Sequence, residues 1–179
     1  GFDTAVYVHI VSRTVRERFY HGLSQYTLPE NWIAWVSGKL FWSHLSAIVI
    51  PNDILKHSEG LCSQQTIVFM EILRRKNINV RSVGLGYKEG PGHFLCEVHY
   101  LGSWRLHDVT VEPQWKNNIT ANHESMDYYV VHKDSLYNVY KNRMEKPLFD
   151  KITEKVSLGK VNEFPAKSMF ILQNVTAVF

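Results

Sequence analysis

Three side chains have the types and spacing for nucleophilic catalysis: Cys62, His93 and Asp108. Cys62 follows Gly60-Leu61 and opens an apolar stretch that predicts a helix. A thiol at a helix N-terminus sits by the positive end of the helix dipole, which lowers its pKa and favours the nucleophilic thiolate. Gly60 is read as the residue that lets the chain turn tightly before the cysteine. Taken singly, each residue has a plainer reading. A cysteine is a small buried hydrophobe, a histidine is structural, and an aspartate at a strand end forms a turn. The spacing joins them. His93 opens one predicted strand and Asp108 closes the next, 15 residues later. Leu101-Gly102-Ser103 reads as a hairpin turn between the two. In a hairpin with a two- or four-residue loop, an odd separation puts both side chains on one face. A four-residue loop at 99–102 sets His93 opposite Asp108, and a two-residue loop at Gly102-Ser103 offsets them along the strands. In both cases imidazole and carboxylate share a face, as a carboxylate needs in order to orient a catalytic histidine.

The elements that must hold these residues follow from periodicity. Val8, Val11, Val15 and Phe19 recur at spacings of three and four and predict a helix over residues 4–20. Pro29-Glu30 is read as opening a second helix, with Trp32, Trp35, Val36, Leu40 and Phe41 as core-packing positions and a cleft wall as the alternative. The run 47–50 ends at Pro51, which blocks its continuation. From Cys62 to about residue 76 the chain is apolar on most sides, so this helix is expected to be central and buried. Arg74, Arg75 and Lys76 suit its C-terminal dipole, and Asn77 stops it. Strands are predicted over 79–87, 93–100 and 104–110, with a loop at 88–92. Further on, 128–132 reads as a strand, 134–141 as a short helix, and 164–175 as either an amphipathic helix or a last strand.

In this setting Gly60-Leu61-Cys62, the helix ending Glu71-Ile72-Leu73-Arg74-Arg75, and Asn77-Ile78-Asn79-Val80-Arg81-Ser82-Val83 resemble the core of the transglutaminase-like superfamily. His93-Phe94-Leu95-Cys96-Glu97-Val98 is similar to that family's His-Ala-Trp-Val-Glu-Val block. Gly102 to Thr110 is similar to its Gly-Trp-x-x-x-Asp block, with one residue inserted after the glycine. The resemblance covers about residues 59–113, and it departs at Leu95, where an aromatic is frequent. It implies an α+β fold with a papain-like core, in which N-terminal helices and a central Cys-bearing helix pack on an antiparallel sheet. It also implies a Cys62-His93-Asp108 triad that attacks a peptide or glutamine amide and passes through a thioester, with water or an amine as acceptor. The Cys62 backbone N–H would supply half of an oxyanion hole, and Trp35, Trp42, Asn31 and Gln64 are candidates for the other half. Calcium, a feature of the much longer animal enzymes, is not carried over.

Composition narrows the alternatives. The 179 residues suit one domain, with a helical part at about 1–58, a catalytic core at about 59–113 and an extension at about 114–179. Hydrophobic residues at 45% exclude a disordered chain, and two cysteines exclude both a disulfide scaffold and a four-cysteine zinc site. The net charge of +3 is dispersed, so no nucleic-acid partner is expected. No apolar run reaches the length of a transmembrane helix. His44, His57, His99, His107, His123 and His132 lack metal-ligand spacing, and neither metal nor cofactor is expected. Asn118-Ile119-Thr120 and Asn174-Val175-Thr176 match the glycosylation sequon. Cys96 is expected in the core and not in a bridge with Cys62. The expected partner is a protein or peptide substrate. A transglutaminase-like module that binds a partner without catalysis is the competing reading.

Overall fold

The computed structural model describes residues 2–86, 92–111 and 124–178. The sequon at Asn118, His123 and most of the predicted 88–92 loop lie outside them. The chain is α+β. Helices α1 (Thr4–Arg18), α2 (Trp32–Leu40), α3 (Pro51–Ile54) and α4 (Cys62–Arg74) precede strands β1 (Val80–Gly86), β2 (His93–Tyr100) and β3 (Ser103–His107). Then come α5 (Met126–Val131), α6 (Lys133–Tyr140), α7 (Lys146–Ile152), β4 (Lys155–Leu158) and α8 (Lys167–Thr176). The strands form one antiparallel sheet in the order β3-β2-β1-β4.

Both faces of the sheet are covered, because side chains alternate along each strand. Cys96, Val98 and Val80 pack into one core with Val8, Val11 and Val15 of α1 and Ile67, Val68, Phe69, Met70 and Leu73 of α4. Leu95, Val83, Leu85 and Leu106 pack into a second core with α5, α6 and α7, through Met126, Tyr129, Leu136, Tyr140 and Phe149. On that second face Glu97 is fully buried against Arg81. Arg81 donates to its Oε2 at 2.5 Å, and the Met126 backbone N–H donates to its Oε1 at 2.7 Å, tying α5 to the sheet. Helix α4 is the buried central helix expected. It ends in a left-handed cap at Asn77 (φ 57°), where the Ile78 N–H reaches back to the Leu73 carbonyl at 3.1 Å.

Several sequence expectations are corrected. The second helix starts at Trp32 and not at Pro29, because the Asn31 side chain accepts from the Ala34 N–H at 3.0 Å and caps it. The large apolar residues of this stretch are mostly not core: Trp32, Leu40 and the C-cap Phe41 are half or more exposed, and only Ala34 of the helix is buried. Pro51 does not merely end the 47–50 run. It opens α3 at a position where its missing N–H costs nothing. Residues 128–131 form the end of helix α5 and His132 its C-cap, not a strand. Ser125 accepts from the Tyr128 N–H, and Met126 and Tyr129, three apart, turn inward together. Of the 164–175 segment, the part from Lys167 on is helical, as α8, which fastens itself to the N-terminal part through Gln173, whose amide bonds Val49 and Ala47. Helix α7 and edge strand β4 were not anticipated. Among the described residues, no helix is long and apolar enough to cross a membrane.

Candidate active site

The segment before α4 is clamped to the N-terminal part of the chain. Tyr20 and Glu59 form a parallel bridge, with the Gly60 N–H on the Tyr20 carbonyl and the Tyr20 N–H on the Ser58 carbonyl, both at 2.9 Å. Ser24 Oγ donates to the Glu59 carbonyl. Buried Gln64 then uses its whole amide. Its Oε1 accepts from the Ser24 N–H (3.0 Å) and the Leu61 N–H (3.1 Å), and its Nε2 donates to the Ser24 (2.8 Å) and Ile48 (2.9 Å) carbonyls. Gly60 has no positive φ, so it is not needed for a tight turn. A Cβ there would lie 3.2 Å from Gln65 Cγ and 3.3 Å from Phe19 Cδ1, so the glycine serves a close approach of α1 to α4. Held in this way, Cys62 occupies the first turn of α4 and is only partly buried.

His93 opens β2, and Asp108 follows the last residue of β3. The hairpin register is neither of the two considered from sequence. Tyr100 pairs with Ser103, so the loop is Leu101-Gly102, both with positive φ (52° and 76°), as a two-residue hairpin turn requires. This register keeps the shared face and makes His93 and Asp108 diagonal neighbours. His93 Nε2 lies 2.6 Å from Asp108 Oδ2. The third predicted strand stops at His107 because Asp108 bends the chain. Its Oδ1 accepts from the Thr110 and Val111 N–H groups, both at 3.0 Å. The Cys62 thiol lies beside the His93 side chain, near enough for the imidazole to stabilise its thiolate. With Nε2 occupied by Asp108, Nδ1 is the ring nitrogen left for the sulfur.

The charges follow from this arrangement. Burial acts to raise the Cys62 pKa. It is outweighed by the His93 hydrogen bond and charge and by backbone N–H groups of Phe94 and Ser63, so the thiol sits below its ordinary value. Burial likewise disfavours charge on His93, but the Asp108 carboxylate, then Cys62, raise it to about 10. Burial opposes ionisation of Asp108 too. His93, the Val111 N–H and the Tyr140 hydroxyl hold it below the ordinary carboxylate value all the same. The arrangement therefore favours the thiolate–imidazolium form of the pair, flanked by a buried carboxylate.

Two oxyanion-hole candidates are spent elsewhere. Gln64 holds the α4 entry. Asn31 Nδ2 donates to Thr176 Oγ1 at 2.9 Å while its oxygen caps α2. Trp42 stacks edge-on against His44 and is 60% exposed. Sequence reasoning missed Tyr140, whose hydroxyl donates to Asp108 Oδ2 at 2.8 Å. It lies on α6, 32 residues beyond Asp108 and outside the stretch of family resemblance, so no local pattern pointed to it. Thr66 was missed as well. One turn after the cysteine, its Oγ1 donates to the Phe94 carbonyl at 3.1 Å and ties α4 to the His93 strand. No protein-family model, curated protein or solved structure matches the chain.

Proposed function

We propose that this chain is a thiol-dependent acyl-transfer enzyme with a transglutaminase-like, papain-like core, acting on peptide or glutamine amide bonds. The observation that carries the reading is the 2.6 Å contact of His93 Nε2 with buried Asp108, beside a partly buried thiol at the start of α4 that His93 stabilises as thiolate. Cys62 Sγ attacks the amide carbon, forming a C–S bond, and the carbonyl π electrons move to oxygen. The Cys62 N–H, among the first N–H groups of a helix and so without a partner inside it, receives that oxyanion in this reading. The oxyanion collapses, the C–N bond breaks, and His93 gives its proton to the departing nitrogen. Water or an amine then attacks the thioester, His93 takes the incoming proton, and the C–S bond breaks to restore the thiolate. Asp108 keeps the imidazole in the tautomer that presents Nδ1 to the sulfur.

The test is the rate of iodoacetamide labelling at Cys62 against pH, in wild type and His93→Ala. The expected inflection for wild type lies below the ~8.5 of a free thiol. His93→Ala is expected to return it toward that value and to slow labelling at pH 6.5 by roughly ten- to a hundredfold. A wild-type profile like that of a free thiol, unaffected by His93→Ala, would leave a non-catalytic partner-binding module as the better account.

A further inference from the structure

His93 must both receive and release a proton, and a strong hold by Asp108 works against release. A general acid is most effective when its pKa lies near the working pH. The carboxylate is not left to the imidazole alone. Asp108 Oδ2 accepts from His93 Nε2 at 2.6 Å and from the Tyr140 hydroxyl at 2.8 Å, while Oδ1 is taken by the Thr110 and Val111 N–H groups. Tyr140 is 2% exposed, and its ring packs against Phe149 in the second core. The two backbone donors on Oδ1 orient the carboxylate without help from Tyr140. What the hydroxyl adds is competition for the oxygen that faces His93.

Resting on the acyl-transfer reading above, we infer that Tyr140 is a positioning residue that acts through Asp108: its O–H draws charge from Oδ2 and so loosens the carboxylate's hold on the imidazolium proton. The phenol keeps its own proton throughout. Other groups that act on this carboxylate come from every packed element. Arg16 of α1 and His93 of β2 are cationic, and Cys96 of β2 is kept neutral by burial. Cys62 of α4 acts through His93. Tyr140 is the member that binds the shared oxygen itself and carries no charge.

The experiment follows the ¹³C-labelled His93 ring by NMR across pH in a Cys62→Ala chain, where the thiol no longer contributes. Adding Tyr140→Phe keeps the ring and removes only the donor. The His93 titration is expected to move up by roughly 0.5–1 pH unit. In an Asp108→Asn background the same substitution is expected to leave it unmoved. Placing 3-fluorotyrosine at position 140 strengthens the donor and should shift the titration down, and this arm decides the matter should Tyr140→Phe fold poorly. A titration that stays or falls with Tyr140→Phe overturns the inference, as does an equal shift without Asp108. Labelling of Cys62 in the unsubstituted chain reports separately on the acyl-transfer reading. A free-thiol profile there would remove the catalytic context while the His93 titration still decides what Tyr140 does.

Discussion

Cys62 and Cys96 stand on two packed elements of one core, helix α4 and strand β2, and the same side chain has opposite chemistry in the two places. Cys96 is fully buried mid-strand among Val80, Val98 and the apolar side of α4, and burial pushes its thiol well above the ordinary value, with Asp108 and Glu97 adding to the effect. Cys62 is also largely desolvated, yet its pKa falls because His93 and two backbone N–H groups stabilise the thiolate. Burial alone makes a cysteine inert. Burial with donors at the sulfur favours the thiolate.

The largest effect expected on this contrast comes from Cys62→Ala. It should abolish amidase or acyl-transfer activity and leave the melting temperature within a few degrees, since a partly exposed sulfur contributes little packing. Activity that survives would end the thiol mechanism. Next is Asp108→Asn, expected to cut turnover by up to ~10⁴ through the wrong imidazole tautomer. Its stability cost carries a pH signature. His93 is raised in the folded state, so its contribution is complete below the unfolded value near 6.5 and is lost as pH climbs toward about 10. Asp108 is lowered, so its contribution is present above the unfolded value near 4 and is lost as pH falls through the folded one. The difference in melting temperature between wild type and Asp108→Asn should therefore be greatest between about pH 4 and 6.5 and shrink toward pH 10. A gap that widens as pH rises would contradict the pairing. The smallest effect is that of Cys96→Ser, a loss of roughly 1–3 kcal/mol for a hydroxyl buried without a partner, with activity per folded molecule retained. Urea unfolding beside an activity assay separates the two quantities.

What the sequence made legible was local or protected by parity. The α4 helix could be read because its apolar residues crowd every side and Asn77 offers a left-handed stop. The shared face of His93 and Asp108 survived an unforeseen register, because every even-length loop keeps an odd separation on one side of a hairpin. Long-range ties were not legible. Nothing in the neighbourhood of Gln64 announces that it spans Ser24 and Ile48, and nothing near Tyr140 points to Asp108. The aromatic residues of α2 misled for the opposite reason. Their hydrophobicity suggested burial, but a nine-residue helix capped by Asn31 turns only Ala34 fully inward. Residues 128–132 misled through the β-branched pair Val130-Val131, which stays exposed while Met126 and Tyr129 set the helix.

The placement of the triad between two cores has a consequence for a chain as it is being made. Cys62 rides on the helix that covers one face of the sheet, whereas Asp108 is held from the other face by Tyr140. During synthesis at ~5–20 residues per second, the thiol precedes Tyr140, the last-made group of this row, by roughly 4–16 s. Over that interval it has neither an oriented imidazole nor a buried carboxylate, and its reactivity is that of an ordinary cysteine. The row from Cys62 through His93 to Asp108 is complete only when both layers have closed on the sheet.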